Sequence, residues 1–121
     1  MFGHNEFMYI KRQAEADLRQ ALASGKVALL LGARQVGKTT LVEQVLRGEN
    51  ARFLNFDVDI DKAHFLAAAS LAPADGLRLL GTPEVMVLDE AQRLPETARI
   101  VKGSYDAKLP VRLLLLGSSS L

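Results

Sequence analysis

No cysteine occurs among the 121 residues. Disulfides and thiolate-bound zinc are therefore excluded. Two histidines are present, His4 and His64, too far apart in the chain to suggest a metal site. The reading places His4 in a terminal tail and His64 on a helix surface. Neither charge sign dominates: 15 Lys and Arg stand against 14 Asp and Glu, interspersed, for a net charge of +1. A dedicated DNA-binding domain shows a basic excess or stripe, so there is no specific nucleic-acid signal. No apolar run approaches the roughly 20 residues that span a bilayer. Val27–Leu31, Val85–Leu88 and Leu113–Leu116 are strand-sized. Met1–Glu6 lacks the basic-then-apolar pattern of a signal peptide, so the expected setting is cytoplasmic, with no membrane partner. Repeats, low-complexity tracts and Pro/Gly/Ser linkers are also missing. With 49% hydrophobic and 24% charged residues, the chain can bury one modest core.

The order of periodic segments gives the fold class. Glu6–Ala23 spaces Ala14, Leu18, Ala21 and Leu22 as a helix does, and Ser24-Gly25-Lys26 should stop it. Val27–Leu31 reads as a strand buried on both faces. A helix over 38–47 carries the stripe Leu41, Val42, Val45 and Leu46, with Gly48 as its stop. Ala51–Phe56 is a second strand, and Asp59–Ser70 a helix. Pro73 starts a shorter helix ending near Gly81. Glu84–Leu88 is the third strand, Glu96–Lys108 a helix interrupted by Gly103, and Val111–Leu116 the fourth strand. This α-β alternation predicts an α/β fold, a parallel sheet of four strands sandwiched by helices.

Gly32-Ala33-Arg34-Gln35-Val36-Gly37-Lys38-Thr39 matches the pattern G-x-x-x-x-G-K-[ST], between a predicted strand and a predicted helix. The glycines let the backbone approach phosphate closely, and successive amide N–H groups form an anion-binding nest. The helix beginning near Lys38 adds its positive N-terminal end. Gly32, Val36, Gly37, Lys38, Thr39 and Thr40 are accordingly the expected ATP-binding residues. Lys38 reaches the β- and γ-phosphates, Thr39 ligates Mg²⁺, and Thr40 donates to the α-phosphate.

Val85-Met86-Val87-Leu88-Asp89-Glu90 ends a buried strand in two adjacent carboxylates. In a parallel sheet this puts them at the C-terminal edge, where ligands bind. Asp89 is the expected Mg²⁺ residue, and Glu90 the base that takes a proton from the attacking water. Leu113–Leu116 followed by Gly117-Ser118-Ser119-Ser120 brings hydroxyls to the same edge. Ser118 or Ser119 there would meet the γ-phosphate or the water.

These segments resemble, in order, the Walker A, Walker B and sensor-1 elements of AAA+-like P-loop ATPases. GARQVGKTTL, NFDVD, VMVLDEAQRLPE and LLLGSSSL resemble more specifically a prokaryotic family of ATP-binding proteins. In that family an N-terminal AAA-type domain precedes a C-terminal domain of unknown function. The resemblance runs from about Tyr9 to Leu121. It implies the strand order 2-3-4-1, catalytic roles for Lys38, Glu90 and Ser118, and metal binding by Thr39 and Asp89. It also implies an incomplete core. Residues 1–121 are a partial P-loop ATPase domain, with an N-terminal helix over 1–24 and the nucleotide-binding core over 25–121. A fifth strand, an arginine finger, a lid and a sensor-2 arginine would lie beyond Leu121. On this reading the chain is a fragment that binds ATP, and a longer parent hydrolyses it. Its expected partners are nucleotide, an unknown protein or the missing C-terminal domain, and a second copy through the exposed first-strand edge.

Other features compete with this reading. Asp57-Val58-Asp59 after the second strand resembles the acceptor-binding Asp-x-Asp of small-molecule P-loop kinases. Its plainer explanation is a helix cap at Asp59 beside an exposed turn. A regulatory module that binds nucleotide without useful turnover is the other alternative. Tyr9 and Ile10 could border adenine or simply pack a helix. Gln92 matches a glutamine that recurs after the acidic pair in the family, but the sequence suggests only a surface polar residue. Arg34 and Arg93 lie near the phosphate edge, where either could contact phosphate or a partner subunit, though exposed loop arginines are usually just solvated.

Overall fold

The structure is a computed structural model that describes residues 15–24, 27–32 and 38–118. Its elements in chain order are helix α1 (residues 15–24), strand β1 (Ala28–Gly32), helix α2 (Lys38–Val45), strand β2 (Ala51–Asn55) and helices α3 (Asp59–Ala69) and α4 (Pro73–Leu79). Strand β3 (Val85–Asp89), a single 3₁₀ turn (Ala91–Arg93), helix α5 (Thr97–Asp106) and strand β4 (Arg112–Ser118) follow.

The four strands form one parallel sheet in the spatial order β1-β4-β3-β2. Read from the other edge this is the expected 2-3-4-1. The register pairs Gly32 with Ser118 and Asn55 with Asp89, which aligns the strand tips along one edge. Central β3 has four successive residues, Val85–Leu88, no more than 3% exposed. Such burial on both faces is the reason the strand reads as an unbroken apolar run.

Helices cover both faces. On one, Leu18 and Leu22 of α1 and Leu41, Val42, Val45 and Leu46 of the α2 segment pack on Val85, Val87, Leu114 and Leu116. On the other, Phe65 and Ala68 of α3, Leu77 of α4 and Val101 of α5 pack with Leu54, Met86, Leu88 and Leu113. The Phe56 and Phe65 rings meet at 5.1 Å between centroids, tilted by 50°, a geometry aromatic quadrupoles favour.

Several expectations change. Among the described residues β1 is an edge strand, as the order 2-3-4-1 implied, but Leu29 is 63% exposed, so its apolar run is not buried on both faces. Helix α1 continues through Ser24, whose hydroxyl donates to the Ala21 carbonyl at 2.6 Å. Asp59 is the first residue of α3 and not its cap: Val58 occupies the cap position and makes no side-chain capping bond. His64 is half-buried, with Nδ1 3.0 Å from the Arg52 guanidinium. Ser118 is the last residue of β4 and does not lie in a turn after it.

Among the described residues, no helix is long and apolar enough to cross a membrane.

Candidate functional site

The C-terminal edge of the sheet gathers the described part of the predicted site. β3 ends at Asp89, half-buried at the strand tip. α2 begins at Lys38, a few residues after β1 ends at Gly32. This puts Thr39 in the first turn of α2, facing the end of β3. The Thr39 hydroxyl donates to Asp89 Oδ2 at 2.8 Å, across 50 residues of sequence. Asp89 Oδ1 accepts the Glu90 backbone N–H at 2.8 Å. Both carboxylate oxygens are thus oriented from known directions. Hydroxyl and carboxylate together form the all-oxygen donor set that Mg²⁺ prefers, so these two residues fit the ion expected of them.

Glu90 departs from ordinary backbone. Its φ of 52° and ψ of 45° are left-handed helical, a region that disfavours side chains with a Cβ by about 1–2 kcal/mol. The turn reverses the chain from β3 into the 3₁₀ segment. Buried Ala91 and Leu94 anchor that segment to the sheet, and Arg93 N–H closes it on the Glu90 carbonyl at 2.9 Å. Gln92 is exposed, but its Nε2 donates to Glu90 Oε1 at 2.6 Å. Arg93 is not merely solvated: its Nε lies 3.1 Å from Asp57 Oδ1 in the β2–α3 loop. That loop is held in turn by Asn55 Oδ1, which accepts the Asp57 N–H, and by Asp61, which accepts the Asn55 N–H, both at 2.9 Å.

Of the predicted residues, Thr39, Asp89 and Glu90 are brought together. Thr40 is exposed in the same helical turn. Gly32 and Ser118 are paired neighbours at the strand tips. Val36 and Gly37 lie outside the described residues, as do the side chains of Lys38 and Ser118. His4, Tyr9, Ile10, Arg34 and Ser119 also lie outside them.

The family model described as AAA domain matches residues 24–121.

The chain belongs to the AAA domain family.

Membership supports a nucleotide-binding, ATPase-type role for this AAA domain. The chain is similar to two uncharacterized proteins, one from Mycobacterium bovis and one from Mycobacterium tuberculosis. Each is 39% identical to it over 113 residues, covering 91% of this chain and 24% of the relative. The AAA domain chain therefore spans about a quarter of the length of these curated relatives. Three residues at the site of this AAA domain were not assigned roles from sequence: Asn55, Gln92 and Arg93. Each acts through a short-range turn or a cross-loop pair, which leaves no periodic signal. The stretch NFDVD had nevertheless marked the β2–α3 loop.

Proposed function

We propose that this AAA domain binds ATP with Mg²⁺ at the strand-tip edge, and that a longer protein carrying it hydrolyses the nucleotide. The observation that carries the reading is the Thr39–Asp89 hydrogen bond. It joins the end of the G-x-x-x-x-G-K-[ST] motif to the acidic strand tip, so the phosphate half and the acidic half belong to one site. Gly32, Val36, Gly37, Lys38, Thr39 and Thr40 bind the phosphates, Lys38 through its ammonium. Thr39 and Asp89 would hold Mg²⁺, which when bound neutralises phosphate charge. Glu90 accepts a proton as water oxygen bonds to the γ-phosphorus and the bond from that phosphorus to the ADP oxygen breaks. Ser118 contacts the γ-phosphate or the water. Hydrolysis is favoured over transfer to a metabolite hydroxyl because Asp57, the first acid of the kinase-like Asp-x-Asp, already faces the Arg93 guanidinium.

The test is thermal unfolding with and without ATP·Mg²⁺. A ligand that binds only the folded state stabilises it by mass action, by about 2.7 kcal/mol at a hundredfold excess over Kd. ATP·Mg²⁺ should raise the Tm, and Lys38→Ala should abolish most of the rise. A folded protein whose Tm is unmoved at millimolar ATP would overturn the reading.

A further inference from the structure

We propose that Gln92 is a positioning residue, whose side-chain amide, carried on the Ala91–Arg93 turn, fixes the orientation of the Glu90 carboxylate for water activation. The proposal rests on the ATP-hydrolysis reading above and deepens it. Surface glutamines often touch nearby acids to no effect; this contact differs in how firmly both of its ends are held.

Glu90 sits in the left-handed region, φ 52°, which a non-glycine residue keeps only where its surroundings impose it. Here Asp89 Oδ1 accepts the Glu90 N–H, and the Glu90 carbonyl accepts the Arg93 N–H. Gln92 lies in the middle of the turn so closed. Ala91 before it and Leu94 after it are 8% and 6% exposed, so Gln92 projects from a base pinned to the core on both sides. The Arg93–Asp57 pair adds a third tether, to the β2–α3 loop. From that base the Gln92 Nε2 meets Glu90 Oε1 at 2.6 Å, a short charge-assisted bond.

The terminal torsion of a glutamate side chain is broad. An amide bound to one oxygen fixes the plane of the carboxylate. General-base catalysis depends on that orientation, and misplacement of about 1 Å costs up to roughly 10²-fold in rate. Among the described residues the Gln92 amide bonds to Glu90 and not to the Thr39–Asp89 pair. Its effect should therefore fall on turnover and not on nucleotide affinity.

The experiment compares wild type, Gln92→Ala, Glu90→Gln and the double variant, in a protein of the relatives' length carrying this domain. Gln92→Ala should lower kcat by about tenfold and leave the KM for ATP and the ATP-induced Tm rise within twofold. The double variant should be no slower than Glu90→Gln alone, because Gln92 acts only through Glu90. A second readout needs no turnover. The side-chain carboxyl ¹³C resonance of Glu90, assigned as the one missing in Glu90→Gln, should move in Gln92→Ala. A Gln92→Ala kcat within twofold of wild type, an unmoved Glu90 resonance, or a further rate loss in the double variant would overturn the proposal. Failure of the ATPase reading itself appears differently, as absence of an ATP-induced Tm rise in wild type.

Discussion

Gly76→Ala sets two known effects against each other. Gly76 lies inside α4, and alanine there should stabilise the helix by up to about 1 kcal/mol. But α4 crosses the end of α3 with no room to spare. A Cβ at Gly76 would press into the carbonyl oxygen of Ala68, and the carbonyl carbon would lie 3.1 Å away. The obstacle is backbone and cannot rotate aside. α4 would have to lift by roughly 1 Å to restore ordinary van der Waals separation. That lift would loosen Leu77 and Leu80 from the cluster they share with Phe65 and Met86. Overpacking of this kind costs about 1–3 kcal/mol, so the net effect should be destabilising by roughly 1–2 kcal/mol, or about 4–10 °C in Tm. Gly103→Ala is the control. Gly103 lies inside α5, and a Cβ there meets nothing within 4 Å, so only the propensity gain of about 0.5–1 kcal/mol remains. Urea and thermal unfolding of both variants read the sign directly. A Gly76→Ala variant as stable as Gly103→Ala would refute the seating of α4 on Ala68.

Thr97 is 3% exposed and its hydroxyl has no hydrogen-bond partner among the described residues, so Thr97→Val should raise unfolding free energy by about 1 kcal/mol; a loss of stability would reveal a partner for that hydroxyl. The β1 edge, with Leu29 exposed, should pair with a second copy of the isolated chain. Leu29→Lys should suppress that association in sedimentation runs over a concentration series, and a wild-type chain that stays monomeric throughout argues against it. Glu90→Gln should cut ATP turnover by roughly 10²-fold while sparing the ATP-induced Tm rise, and activity within a factor of two of wild type would assign the base elsewhere.

Elements whose physics is local were legible in the sequence. The stripe Leu41, Val42, Val45 and Leu46 is the buried face of α2 and the turn after it, and Val85–Leu88 is the central strand. The two halves of the site were visible because each ends a strand or begins a helix at a motif of fixed spacing. β1 marks where this stops. Its apolar run resembles that of β3, yet one lies at the edge and the other inside, because neighbours in a sheet are chosen by distant pairing. Glu90 marks another limit. A left-handed turn is normally announced by Gly or Asn, and a glutamate in that conformation gives no warning. The contacts that depend on the turn, Gln92 to Glu90 and Arg93 to Asp57, were hidden with it. Val58 took the cap position expected of Asp59 because Asp61 and Asn55 tie down the loop instead.

Among the described residues, β1 has one strand neighbour, β4, with residue 28 beside residue 114. On the ribosome, β2, α3, α4 and β3 can assemble once the chain has reached Asp89. β1 is made before all of them but must wait until residues 112–118 emerge. Closing so long a loop carries an entropic cost that short-range pairs avoid, and contacts of such separation form slowly. β1, which leads into the G-x-x-x-x-G-K-[ST] motif, is therefore synthesised early and paired late. A ligand bound between that motif and Asp89 would act as a late staple, joining an early-made segment to a later-made one in time as well as in space.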